Sequence, residues 1–533
     1  MKPFSAPLDD ILFSINHVAQ AGRLPDWDPD TASELLGHFA SFVEGEIAPL
    51  NEVGDQVGAQ LENGRVRMPP GFRAAYQSFR EQGWPTLNAP EAYGGQELGA
   101  VISAASSEVM TGANHGMYMQ ISLVGGAIRT IMTHGSDDQK ARFVPPLAMG
   151  EWLSTMDLTE PGAGSDLARI RTRAVQDGDG TWKITGEKIF ISGGDHDLAD
   201  GILHLVLART SDDGLRGLSL FVCLADKGDG TRNAVTVTRI EEKMGIHASP
   251  TCQISYDGAE GELVGEIGGG LKAMFVMMNH ARLEVSLQGP AHAARAWDIA
   301  TSYAAERVQG RGPDGQAVTL DQHADVRRML DHVDALAIGM RSISYTLMVA
   351  LESGGSEALV DFLTPIAKAA GSEAGIDAAR IAQQVLGGYG YLKEYAVEQV
   401  YRDARIAAIY EGTTGIHARG LATRGLGHPG ADAFAEMVTG IADETGQPAL
   451  GGAMADWQAL RADMTNGLNA EAAANDFLEA TIHILFWAMW CRVASVADKA
   501  PDPTRYGRVA RYVMRTVPHD FTASVAKCRA WEA

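Results

Sequence analysis

Glu411 stands in Ile409-Tyr410-Glu411-Gly412-Thr413-Thr414-Gly415, a lone carboxylate between an aromatic ring and a glycine. A carboxylate buried beside an apolar ring rises in pKa and can take a weakly acidic proton that an aqueous carboxylate would leave in place. Gly412 has no Cβ, so the chain beside Glu411 can adopt dihedrals closed to other residues and lie close against a ligand. Alone, such a glutamate reads first as a cap or a solvated side chain, and the surrounding motifs change that weighting.

The elements that must position it are helical. Ala378, Ile381, Ala382, Val385 and Leu386 recur at helical spacing and run into the turn Gly387-Gly388-Tyr389-Gly390. A short helix near Val397 to Ala404 follows, and Thr413 or Thr414 can cap the next one. A second candidate lies far upstream, in Thr159-Glu160-Pro161-Gly162-Ala163-Gly164-Ser165. Its glycines let main-chain N–H groups approach an acceptor, and Thr159 and Ser165 add hydroxyls. Glycine-rich turns of this kind are common, and unaided this one reads as structural. No strand-GxGxxG-helix fingerprint is present, so a dinucleotide would have to be held by another surface.

With 533 residues, 45% of them hydrophobic, the chain can bury a large core, and roughly 150 residues per domain suggests three or four domains. A net charge of -23 argues against nucleic acid and anionic membrane surfaces as partners, which are held by Lys and Arg. Cys223, Cys252, Cys491 and Cys528 have neither C-x-x-C nor zinc-ligand spacing, so buried thiols are expected and no metal. The first 20 residues carry Asp9 and Asp10 and lack the basic start and apolar run of a secretory signal. No run approaches the roughly 20 apolar residues of a membrane span, and a cytoplasmic location is expected.

In chain order we expect a mainly α protein with a central β domain. Residues 1–30 form a helical lead-in closed by Pro25-Asp-Trp-Asp-Pro29, and 31–150 a helical domain capped at Asp30 or Thr31. In 151–266, short β-branched segments such as Ile189-Phe-Ile191 and Leu203-His-Leu-Val-Leu207 alternate with turns such as Gly178-Asp-Gly180, as in an antiparallel barrel or sandwich. Residues 267–427 return to long helices, Leu271 to Arg307, Leu320 to Ser353 and Val360 to Leu386, and 428–533 add a further helical segment. Its apolar run Ile482 to Trp490 is too short for a bilayer and reads as a buried helix. Asp195, His196 and Asp197 read as a polar turn rather than as ligands, and Lys243, His247, Tyr389 and Tyr391 as packing residues.

Gln384 to Tyr391, Tyr401 to Arg405 and Ile409 to Thr413 together resemble the C-terminal signature of flavin-dependent acyl-CoA dehydrogenases, and Leu158 to Asp166 with Gly186 to Ser192 resembles that family's flavin-contacting region. The resemblance covers roughly Thr31 to Arg424 and implies a helical domain, a β domain and a helical bundle. The lead-in and extension, with Asp195 to Leu198, Lys243 to Thr251 and Asn279 to Leu283, resemble a longer subgroup that includes methylmercaptopropionyl-CoA dehydrogenases, which would place the chain in DMSP catabolism. The resemblance implies FAD, α,β-dehydrogenation of a short or medium acyl-CoA, electron-transferring flavoprotein as acceptor, and a homo-oligomer with a dimer favoured. It makes Glu411 the catalytic base, with Ala281 unable to act at the alternative position, and Arg282, Tyr410 and Gly412 substrate-pocket residues. The flavin would be held by Leu158, Thr159, Gly164, Ser165, Phe190, Ile191, Ser192 and Thr413, with Arg307 reaching from a neighbouring subunit and Gln384, Gly387 and Gly388 near the adenosine half. An oxidase using dioxygen would share these residues, and a non-catalytic acyl-CoA-binding relative would share the fold; fast aerobic reoxidation and a colourless protein, respectively, would reveal them.

Overall fold

The computed structural model describes residues 2–178, 180–228 and 230–531; Asp179, in the expected Gly178–Gly180 turn, lies outside them, as do Met1, Asp229, Glu532 and Ala533. Compaction does not follow chain order. One unit gathers the chain up to Ala40, Ala100–Gly112 and everything from Arg282 on; the other holds Ser41–Gly99 and Ala113–Ala281.

The second unit is built on a seven-stranded sheet of Trp152–Asp157, Arg173–Gln176, Trp182–Ser192, Gly201–Arg209, Leu218–Leu224, Val235–Ile240 and Thr251–Val264. Five of these close a ring: Gly201–Arg209 meets Arg173–Gln176 on one side and Leu218–Leu224 on the other, with Trp182–Ser192 and Thr251–Val264 completing it. The barrel is not purely antiparallel, as the sequence suggested, because Trp152–Asp157 and Arg173–Gln176 both run parallel to Gly201–Arg209. Alternation explains its two apolar faces. Val206, Ala208, Phe221, Cys223, Ile184 and Ile254 fill one core cluster, while Leu203, Leu205, Leu207, Leu220 and Val222 pack with Ile128, Ile131, Phe143 and Leu147 of helices Leu123–His134 and Asp137–Ala148. A hairpin of Gln60–Glu62 and Arg65–Arg67 interrupts the stretch expected to be all-helical. The helix that opens that stretch starts at Pro29, and its cap is Asp28, which accepts from the N–H groups of Asp30 and Thr31; neither Asp30 nor Thr31 is the cap.

The other unit is a helical bundle. Its long members are Ala324–Glu352, Glu357–Leu386 and the part of the helix Gly270–Glu306 from Arg282 on, and a hairpin of Val308–Arg311 with Ala317–Thr319 joins that helix to Ala324–Glu352. Gly270–Glu306 and Glu357–Leu386 cross backbone to backbone: a Cβ at Gly289 would lie 1.6 Å from Gly371 O, and one at Gly375 would lie 2.8 Å from Gly289 Cα. Four extension helices follow, Pro429–Glu444, Pro448–Asn466, Ala474–Ser495 and Pro503–Arg529. Ala474–Ser495 and Pro503–Arg529 dock on Ala324–Glu352, and Pro429–Glu444 packs on Glu357–Leu386. Trp490 Nε1 donates to Ala335 O at 3.2 Å, and a Cβ on Gly339 would lie 2.2 Å from Phe486 Cε2, so only glycine leaves room for the two aromatics. Arg505 donates to Asp334 and to Asp10 of the lead-in helix Leu8–Phe13, tying three segments together. Contrary to the sequence reading, Ala324–Glu352 and Ala474–Ser495 are each long and apolar enough to cross a membrane by length and composition; 83% and 72% of their most apolar stretches are buried inside the protein.

Candidate active site

Glu411 sits after a long helix and two short helical pieces have handed the chain on. Glu357–Leu386 ends at Gly387, whose φ of 61° reverses the backbone, and Val397–Ala404 runs through a single 3-10 turn, Arg405–Ala408, into Ile409. Thr413 then caps Thr414–Thr423 by accepting from Ile416 N–H at 3.3 Å, so its hydroxyl is occupied in a cap. Between them Glu411 and Gly412 both take positive φ, 55° and 96°. For a glutamate that conformation costs about 1–3 kcal/mol and persists only where neighbours enforce it.

Two cations enforce it. Arg282 Nε donates to Glu411 O at 3.1 Å, and Lys368 Nζ donates to Gly412 O at 2.7 Å. They come from the two crossing helices, Arg282 two turns before Gly289 and Lys368 one turn before Gly371. His417 backs Gly412 so closely that a Cβ there would lie 2.9 Å from its Nε2. The Tyr410 hydroxyl donates to Gln288 Oε1, which orients the ring beside the carboxylate.

The Glu411 side chain is half-buried. Burial pushes its pKa up to about 7, against the opposing pull of Arg282 and Lys368. Lys368 is wholly buried and held down to about 8 by desolvation, with Glu411 opposing the shift. Burial holds His417 near 3, so it is neutral at physiological pH. The result is a carboxylate with the basicity of an imidazole, held on a fixed turn and reachable from outside.

In the β-barrel unit, a loop and a strand expected to meet a flavin are joined to each other. Ile189 N–H donates to Thr159 O at 2.9 Å. Lys188, with no exposed surface, donates to Leu158 O, Leu207 O and Glu160 Oε1 at 2.9, 2.8 and 3.0 Å. Glu160 also accepts from Arg171 and Thr172 N–H, so this buried ion pair is fully bonded. The pairing of Trp182–Ser192 with its neighbour slips between Lys188 and Ile191, and Phe190 at the slip takes φ 59° and points outward, 60% exposed. Leu158 and Ile191 are buried, Thr159 and Ser192 half-buried, Gly164 and Ser165 exposed.

At the end of the bundle, Arg307 lies over the Tyr389 ring at 5.9 Å, next to Gly387 and Gly388, and Gln384 is exposed on the preceding turn. Asp195 accepts from Arg65 Nε and Val66 N–H, a fastening of the Gln60–Arg67 hairpin. Lys243 donates to Ser249 O, and His247 bridges Lys243 O and Asp55 O, so both do packing work.

Three acyl-CoA dehydrogenase domains match in order: the N-terminal domain at 29–151, the middle domain at 155–259 and the C-terminal domain at 268–426. A 3-methylmercaptopropionyl-CoA dehydrogenase of Ruegeria pomeroyi is 43% identical over 506 residues, spanning 90% of this chain and 85% of its own length. The chain belongs to the acyl-CoA dehydrogenase family. A structure of Caenorhabditis elegans ACDH-11 in complex with C11-CoA superposes over 97% of this chain and 93% of its own, at a TM-score of 0.81 and 19% identity, which shows that the extension belongs to the fold. A structure described as an electron transferring flavoprotein of Acidaminococcus fermentans is 27% identical and covers 74% of this chain and 97% of its own, at a TM-score of 0.65.

Acyl-CoA dehydrogenases are FAD-dependent, and this chain's residues fit a flavin. Phe190 offers an aromatic face on backbone that a side chain rarely adopts, and beside Gly162 and Gly164, as beside Gly387 and Gly388, no atom lies within 4 Å of where a Cβ would be. The exposed Gly162, Gly164 and Ser165, with the Ser165 hydroxyl, suit a phosphate. Lys368, His417, Gln288 and Lys188 escaped the sequence reading because their roles are set by contacts with other segments of the chain. The signal that could have found Lys368 is a single cation in the largely apolar run Phe362 to Gly371, which must find partners when buried.

Proposed function

We propose that this acyl-CoA dehydrogenase removes hydrogen from the α and β carbons of methylmercaptopropionyl-CoA or another short or medium acyl-CoA, giving the trans-2-enoyl thioester. The observation that carries this reading is Glu411: a carboxylate raised to about 7 on a turn fixed by Arg282 and Lys368. Its carboxylate takes the α proton, and its main-chain N–H donates to the thioester oxygen as enolate charge develops there. When bound, FAD supplies the acceptor for the β hydride. Leu158, Thr159, Gly164, Ser165, Phe190, Ile191 and Ser192 hold the flavin and its pyrophosphate, while Arg307 reaches the FAD pyrophosphate of a neighbouring subunit, with Gln384, Gly387 and Gly388 near the adenosine half of that FAD. Thr413 joins the residues that hold the flavin while its hydroxyl oxygen caps the helix after Glu411, and Tyr410 with Gly412 shapes the acyl pocket.

The substrate assignment is supported by the Ruegeria relative's activity and by alignment through the extension. Electrons pass on to an electron-transferring flavoprotein, and the enzyme works as a cytoplasmic homodimer. Anaerobic titration of the yellow protein with a panel of acyl-CoAs tests this, the methylthio-substituted propionyl thioester bleaching the flavin fastest. Equal or faster bleaching by long straight-chain thioesters would move the substrate assignment elsewhere.

A further inference from the structure

Lys368 has no exposed surface, yet the acceptor its ammonium reaches is a main-chain carbonyl, Gly412 O at 2.7 Å, rather than a carboxylate at hydrogen-bond distance. Burying an ammonium is costly unless an opposite charge lies within electrostatic reach. The charges acting on Lys368 are those of Glu411 and Glu373, opposed by Arg282. Glu373 is engaged at the surface, where Thr414 Oγ1 donates to it at 2.7 Å. That leaves Glu411, one residue from the carbonyl that Lys368 grips.

We propose that Lys368 is a positioning residue for this reaction, clamping the Gly412 carbonyl while its buried charge keeps the Glu411 carboxylate ionised and poised. The inference rests on Glu411 being the base. Within this unit the groups facing Glu411 are Arg282 from Gly270–Glu306, Lys368 from Glu357–Leu386, Tyr410 on its own turn and His417 from Thr414–Thr423, with Arg424 acting on Arg282. His417 stays neutral and Arg282 stays charged, so the Lys368 ammonium is the local charge that a neutral substitution removes without touching the Glu411 carbonyl.

The test is the pH dependence of anaerobic flavin reduction in FAD-loaded Lys368→Met, Lys368→Gln and Lys368→Arg. Removing the charge moves the acidic limb up by about one pH unit, so that the Met and Gln variants, already slowed at every pH by loss of the Gly412 clamp, fall about a further tenfold near pH 6 relative to their own rate above pH 9. Lys368→Arg keeps its limb near the native position. A titration followed by carboxyl infrared absorption, native minus Glu411→Gln, reads the same shift without substrate. A uniform slowing at every pH with the limb unmoved, or a Gln limb overlying the Arg limb, overturns the proposal and leaves Lys368 a structural clamp. If the Met variant yields no flavoprotein, the Gln and Arg pair decides. Undiminished reduction in Glu411→Gln would remove the base itself; an inert Glu411→Gln with an unmoved Lys368→Met limb refutes this inference alone.

Discussion

Arg282 donates from Nε to the carbonyl of Glu411 itself, at 3.1 Å, so one of the two cations near the carboxylate is fastened to the peptide unit that carries it. Charge and position therefore cannot be separated at Arg282. Arg282→Ala should free the strained turn as well as remove a charge, and displacement of a base by about 1 Å costs on the order of 10²-fold in rate. We expect kcat/KM to fall by at least that much while FAD content, read from the 450 nm region of the spectrum against protein, stays native. Loss of FAD in step with activity would show that Arg282 supports the fold rather than the turn.

Gly339 is the contact point between the bundle and the extension, with Phe486 and Trp490 filling the space a side chain would need. Gly339→Val must push both rings off the helix, and overpacking of this kind costs about 1–3 kcal/mol or more. The expected outcome is a lower thermal unfolding midpoint and exposure of the Ala474–Ser495 face to a hydrophobic dye. An unchanged melting curve would mean that the extension is only loosely applied to the bundle.

Lys188 joins the loop Leu158–Ser165 to the strand carrying Phe190 through Leu158 O and Glu160, and that strand to Gly201–Arg209 through Leu207 O. Lys188→Met leaves Glu160 buried without its cation, a change worth about 3–5 kcal/mol. Equilibrium dialysis should find FAD bound far more weakly, and Glu160→Gln made on top should recover part of the loss by removing the orphaned charge. Equal FAD affinity in native and Lys188→Met protein would show that the two segments keep their places without the pair.

Much of this was legible in the residues. The spacing around Ala378 to Leu386 and Val397 to Ala404 gave helices that the structure contains as Glu357–Leu386 and Val397–Ala404. The three helices of the bundle differ from expectation by a few residues at their starts, because Ala324–Glu352 is preceded by a 3-10 turn and Glu357–Leu386 is capped by Ser356. Elsewhere no local signal marked the structure. Gly258 forms a bulge inside the strand Thr251–Val264, where it takes φ 74° and its N–H donates to Thr185 Oγ1. The hairpins at Gln60–Arg67 and Val308–Thr319 are too short for periodicity to register. In the site, Glu411 and its turn stood out by residue type, whereas Lys368 and His417 are chosen by tertiary contacts that spacing along one helix does not reveal.

The raised pKa of Glu411 has consequences in both rate and stability. Below about pH 7 the side chain is protonated and cannot accept the α proton, so the rate of flavin reduction should fall about tenfold per pH unit on the acidic side. The folded pKa lies above the unfolded one, so the stabilisation is fully present below the unfolded value and is lost as pH rises through about 7. Glu411→Gln should accordingly unfold at a higher temperature than the native protein at pH 8, by an amount corresponding to up to roughly 3 kcal/mol before solvent screening. At pH 4 the difference should vanish; a constant offset at both pH values would place its origin in packing.

The rapid phase of flavin reduction by a good acyl-CoA under anaerobic stopped flow tests most directly whether Glu411 takes the α proton. In Glu411→Gln the side chain keeps its size and loses its basicity, and Ala281 offers no substitute at the alternative position. Acyl-CoA should still perturb the flavin spectrum on binding, while reduction slows by at least about 10⁴-fold, the upper end for a positioned general base. Bleaching at the native rate in that variant would contradict the account and place the base on another residue.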